Sequence, residues 1–116
     1  MQKILEVQKE QMEEIIVNKY IKQSVVDALF KVINSAPSLP YNYYGNQVDV
    51  SQHEFDIWMN YAIQTLDISF NYTGIYTILS TKNIVFQLAC NNIPYVNRIN
   101  QIKLELHNLI QIITVY

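Results

Sequence analysis

The sequence predicts an all-α fold, a bundle of four or five antiparallel helices in one domain spanning residues 1–116, and three observations carry that expectation. Apolar residues recur at the helical period of about 100° per residue in several long stretches. A helix-capping signature opens one of those stretches. Prolines and a glycine fall between them, where helices must stop.

Residues 20–34 place Ile21, Val25, Val26, Ala28, Leu29, Val32 and Ile33 on one side, flanked by Lys22, Asp27 and Lys31. That is the pattern of an amphipathic helix. Residues 2–17 carry a thinner stripe, Ile4, Leu5, Met12, Ile15 and Ile16, among Glu6, Lys9, Glu10, Glu13 and Glu14. Its direction is rotated from that of the next stretch, so either one long helix bends near Asn18 or there are two. From Ser35 to Val50 the periodicity lapses. Pro37 and Pro40 cannot donate hydrogen bonds, Gly45 permits positive φ, and Tyr41, Tyr43 and Tyr44 crowd between them, so this segment reads as a loop.

A helix restarts at Ser51-Gln52-His53-Glu54, where Ser51 and Glu54 can each satisfy an amide that the first turn leaves unpaired. Over 51–68, Phe55, Trp58, Met59, Ala62 and Leu66 share one face, and Asp56, Asn60, Gln64 and Asp67 occupy another. Residues 68–90 admit two readings. Ile68, Phe70, Tyr72, Tyr76 and Ile78 alternate with Ser69, Asn71, Thr73 and Thr77, and Thr81-Lys82-Asn83 could turn an antiparallel hairpin, which would make the fold α+β. Ile75, Ile78, Leu79, Val85, Phe86 and Ala89 also fall within one helical arc, and the helical reading, over about 70–92, is preferred. Pro94 breaks the chain again. Over 96–115, Ile99, Ile102, Leu106, Leu109 and Ile113 keep the 3-4-3-4 spacing of a helix seam, suited to bundle packing or a dimer interface.

Composition narrows the function classes. Eight basic and ten acidic side chains leave a net charge of −2, and the only arginine is Arg98, so the guanidinium forks that read phosphate and guanine are scarce and no direct nucleic-acid ligand is expected. No apolar run approaches the roughly 20 residues of a membrane span. A single cysteine, Cys90, and a start without a basic and apolar leader point to a reducing, cytoplasmic setting. The abundance of Ile, Asn and Tyr fits an A- and T-rich coding sequence of the kind found in low-GC bacteria and their phages. Ten of the eighteen charged residues lie in 1–31, so the surface beyond is built from Asn, Gln, Ser, Thr and Tyr and is suited to being covered by a partner.

Catalytic groups are few. His53, His107 and Cys90 follow no nucleophile or acid–base pattern, and Cys90 is expected to be a buried, inert thiol on the apolar side of its helix. His107 is expected on the solvated side of the last helix. His53 has Asp56 one turn on, with Asp49 and Glu54 near in sequence, but a zinc-type site needs three or four convergent ligands, so neither a metal nor a cofactor is expected. With two glycines and no GxGxxG, P-loop or Cys-x-x-Cys, no phosphate cradle is expected either.

The Pro37–Asn46 loop is the expected recognition element, because tyrosine supplies large, rigid, amphipathic contact area. The expected function is a small non-enzymatic protein-binding module, a regulator, inhibitor or immunity-type protein. It would act through Tyr41, Tyr43, Tyr44, Trp58 and His53 and the uncharged faces of 51–116, as a homodimer with a protein partner. The alternative is a small-molecule, nucleotide-like binding protein in which the same residues line an aromatic pocket.

Overall fold

Among the described residues, four helices supply every member of the apolar core except Val50. The computed structural model of the chain describes residues 19–38, 45 and 48–115, and among them there is no strand. The helices are α1 (residues 19–34), α2 (Gln52–Thr73), α3 (Tyr76–Ala89) and α4 (Tyr95–Val115). The N-terminal stripe over 2–17, and with it the fifth helix, lies outside the described residues.

Each helix begins or ends where local chemistry dictates. α1 buries Val25, Leu29, Val32 and Ile33. Ser35 closes it by donating its amide to the Lys31 carbonyl at 3.0 Å and its hydroxyl to the Val32 carbonyl at 3.0 Å, and Pro37 follows. Ser51 caps α2 as its sequence predicts, its hydroxyl accepting from the Glu54 amide at 3.2 Å. Gly74 ends α2 in the left-handed conformation at φ 66°, and its amide donates to the Phe70 carbonyl at 2.7 Å. Two residues later α3 begins, so α2 and α3 form an antiparallel hairpin of helices.

Residues 68–90 are therefore the last turns of α2 followed by α3, and the β-hairpin alternative is excluded. The break falls at Gly74 and Ile75, which makes α2 longer and α3 shorter than the periodicity suggested. The physical reason is a row of hydroxyls on the buried side of α2. The hydroxyls of Thr65, Ser69 and Thr73 donate to the carbonyls of Tyr61, Thr65 and Ser69, at 2.9, 2.6 and 2.8 Å respectively. A side chain satisfied by the carbonyl four residues earlier can face the interior without an orphaned polar group. Thr81 of α3 is buried as well, while Ile68 and Tyr72 point outward.

The predicted seam of α4 is the centre of the core: Ile99, Ile102, Leu106, Leu109 and Ile113 are all buried, together with Leu66 of α2 and Ile78 and Val85 of α3. Each such side chain contributes roughly 1.5–3 kcal/mol on leaving water. α3 lies along both α2 and α4, and α2 meets α4 only narrowly. α1 closes the bundle, with Trp58 of α2 reaching the Val32 carbonyl and Phe30 meeting the edge of His107 on α4 at 6.0 Å. The order around the bundle is thus α1, α2, α3, α4, with neighbours antiparallel.

The two ends of the chain's connections are tied by the few charges available. Asp49 accepts from the first free amides of α4, Tyr95 and Val96, both at 2.9 Å, and so caps that helix from a segment 46 residues earlier. Arg98 donates to the carbonyls of Ala89 at 3.0 Å and Ile93 at 2.8 Å, closing the end of α3, and its guanidinium lies 4.5 Å from the Tyr95 ring centre.

Candidate interaction surface

Of the residues expected to form the site, the described residues include only Trp58 and His53. Tyr41, Tyr43 and Tyr44 lie outside the described residues. Trp58, expected at the interaction surface, is instead a core residue: it is 3 % exposed, and its indole N–H donates to the Val32 carbonyl at 2.8 Å. An amphipathic ring whose one polar atom is satisfied inside the bundle holds α2 against α1 and has little left to offer a ligand. His53 stands exposed on the first turn of α2.

Asp49, the carboxylate nearest to His53 in the loop, is committed elsewhere. Partial burial raises its pKa, but hydrogen bonds from the amides of Val96, Tyr95 and Val50, with Arg98 close by, outweigh that and hold the carboxyl below its usual range. Cys90 is exposed just past the end of α3, not buried as expected, because α3 stops at Ala89 and the chain turns away. His107 is exposed, as expected, with one edge against Phe30. Among the described residues no group of three or more His, Cys, Asp and Glu side chains converges where a metal ion could be held. Among them, too, no helix is long and apolar enough to cross a membrane.

A different feature emerges on the seam between α1 and α2. Ile57, Tyr61, Ile68 and Tyr72 follow one another along α2 at spacings of four, seven and four residues, with Gln64 between, so all share one helix face. They are 57, 40, 54 and 69 % exposed, and Tyr20 of α1, beside Ile68 and Tyr72, is 72 % exposed. Between the two helices lies a groove of about 430 Å³, with the buried Val25 and Ser69 at its floor, Ser24 and Ala28 along it, and the exposed Tyr20, Ile68 and Tyr72 as its rim. At the other end of the same seam, Pro37, Glu54, Ile57 and Tyr61 line a second depression of about 360 Å³.

The electrostatics of this face are simple. Between 57 and 72 no charged side chain lies on it, since Asp67 is turned toward α3 and pairs with Lys82 at 2.6 Å. Glu54 stands at one end. The Ser69 hydroxyl on the floor is already donated to the Thr65 carbonyl. The groove therefore offers apolar area and shape, and among the described residues no cation lines it to meet a phosphate.

The sequence pattern obscures this stripe because α2 carries two apolar faces. The stronger one, Phe55, Trp58, Met59, Ala62 and Leu66, accounts for the core, and Asp56, Asn60, Gln64 and Asp67 make the remainder of the helix look polar. The repeated spacing of Ile57, Tyr61, Ile68 and Tyr72 was the signal that could have revealed it. Compared with known proteins, the chain matches no protein-family model, no curated protein and no solved structure.

Proposed function

We propose that this protein is a non-enzymatic protein-binding module, of the regulator, inhibitor or immunity type, and that the α1–α2 seam is its docking surface. One observation carries the reading: four large apolar side chains at helical spacing on α2, with Tyr20 of α1 beside them, face outward without a charge among them. Patches of this kind mark protein interaction sites, and tyrosine is enriched at the centres of such interfaces. The shape agrees with a helix-in-groove mode, in which a partner lays a row of side chains along the seam. Among the described residues, the groups that could argue for catalysis are spread apart or employed structurally. Asp49 and Arg98 hold helix ends, and His53 and His107 stand on different helices.

The test is capture of a protein partner from cells of the source by the purified chain, compared with Tyr72→Lys and Ile57→Glu. Both positions are more than half exposed, so helicity should be unchanged while capture is lost. Equal capture by all three proteins would remove the seam as the docking surface. The small-molecule alternative draws support from the groove volume, which lies within the roughly 300–1,000 Å³ of ligand sites. It predicts a rise in melting temperature with a nucleotide-like ligand, whereas the docking reading predicts none.

A further inference from the structure

The spacing of the stripe on α2 is the same in both directions. Ile57, Tyr61, Ile68 and Tyr72 are placed symmetrically about the midpoint between Gln64 and Thr65, so reversing the helix exchanges Ile57 with Tyr72 and Tyr61 with Ile68. A two-fold interface uses one patch on both subunits, and every contact between i and j recurs between j and i. We propose that the occupant of this seam is a second copy of the chain, with the two α2 helices antiparallel, Ile57 against Tyr72 of the other copy and Tyr61 against its Ile68. The proposal rests on reading the seam as a protein-docking surface, and it adds the partner and the register.

Three observations agree with this occupant. Every contact in the register joins an aliphatic side chain to an aromatic ring, so neither bulky rings nor short side chains stack up at one place. Charge raises no obstacle: Glu54, the acidic residue bordering the stripe, would sit about 30 Å from its counterpart, given a rise of about 1.5 Å per residue. The area also suffices. Tyr20, Ile57, Tyr61, Ile68 and Tyr72 are each 40–72 % exposed. With aromatic side chains presenting roughly 150–250 Å² each, they offer about 600 Å² per copy. Two copies would bury about 1,200 Å², which enters the range of stable interfaces before the flanking residues are included.

The register is tested by disulfide trapping in the full chain with Cys90→Ser removing the native thiol. Ile57→Cys combined with Tyr72→Cys should oxidise to a covalent dimer, because the two positions face each other across the axis. Ile57→Cys alone should not, since its two copies would stand about 22 Å apart and a disulfide needs Cα atoms within about 7 Å. By sedimentation, the unmodified chain should be a dimer at micromolar concentration. Ile68→Glu and Tyr72→Lys should each weaken it about a hundredfold with unchanged circular dichroism, since each change enters the interface twice.

A monomer at all concentrations, or trapping through Ile57→Cys alone, overturns the proposal. So does concentration-independent hydrogen-exchange protection of residues 57–72, which would mean that the seam is covered within its own chain. If the chain is monomeric yet Tyr72→Lys abolishes capture of another protein, the dimer fails and the docking function stands. If the trapped dimer forms in register while stripe variants leave capture intact, the function assigned to the seam fails and the dimer stands.

Discussion

Replacing Trp58 with Phe distinguishes a core pin from a contact residue. The indole is 3 % exposed and donates to the Val32 carbonyl at 2.8 Å, which ties the middle of α2 to the last turn of α1. Losing that hydrogen bond costs about 1 kcal/mol. The smaller ring gives up on the order of 40 Å² of buried apolar area, about another 1 kcal/mol at 25 cal/mol per Å². The Val32 carbonyl is not orphaned, because the Ser35 amide at 3.2 Å and the Ser35 hydroxyl at 3.0 Å remain in reach. Trp58→Phe should therefore destabilise the fold by about 2 kcal/mol, and Trp58→Ala by about 3–5 kcal/mol. Urea unfolding followed by far-UV circular dichroism measures this, since the substitution removes the chain's only tryptophan. Ser35→Ala should be milder in the wild type than in Trp58→Phe, where it leaves the Val32 carbonyl with the Ser35 amide as its one remaining partner of the three. A loss below about 0.5 kcal/mol in Trp58→Phe, accompanied by weaker self-association, would refute the reasoning and return Trp58 to the interaction surface.

Asp49→Ala should destabilise by about 1 kcal/mol at neutral pH, the usual worth of a helix N-cap, measured by thermal unfolding. The carboxyl's pKa is lowered in the fold, so its contribution is full above the unfolded value of about 3.9 and fades as pH falls through the lower folded value. Wild type and variant should converge in strong acid, and a gap that persists there would contradict the cap. Gly74→Ala should cost about 1 kcal/mol from the left-handed backbone alone, because a Cβ there would meet nothing within 4 Å. Cys90, exposed beyond α3, should react fully with a thiol reagent in the native chain, and reaction only after unfolding would place it in the interior.

The helices with one dominant apolar face were legible in the sequence. α4 announces itself through five residues at seam spacing, and all five are buried. The start of α2 was legible because Ser51 is chemically suited to the amide it satisfies. The end of α2 was obscured, since Thr65, Ser69 and Thr73 resemble a solvated face until their hydroxyls are traced to backbone carbonyls one turn back. That substitution inverted the pattern and made Ile68 and Tyr72, the outward residues, look like a strand's buried side. Trp58 and Cys90 failed for a related reason: ring size suggests an interaction role for one and helix periodicity suggests burial for the other, but only tertiary position decides either. The Asp49–α4 cap joins residues 46 apart, a link that no local spacing can signal.

The same accounting of charges constrains how the seam recognises anything. Beyond α1, Asp49 and Arg98 are held by backbone groups at helix ends, and Asp67 is paired with Lys82, so the charges that remain are few and scattered. An interface made without steering charges associates at the modest rates of neutral patches, on the order of 10⁵–10⁶ M⁻¹s⁻¹, and draws its specificity from fit. Salt shortens the Debye length from about 10 Å at 0.1 M to about 3 Å at 1 M, which weakens attractions between exposed charges and leaves apolar burial in place. Association through the α1–α2 seam should therefore hold or tighten slightly as salt rises. A steep loss of affinity with salt would mean that the charged residues of α1, Lys19, Lys22 and Lys31 among them, carry the recognition in place of the tyrosine and isoleucine stripe.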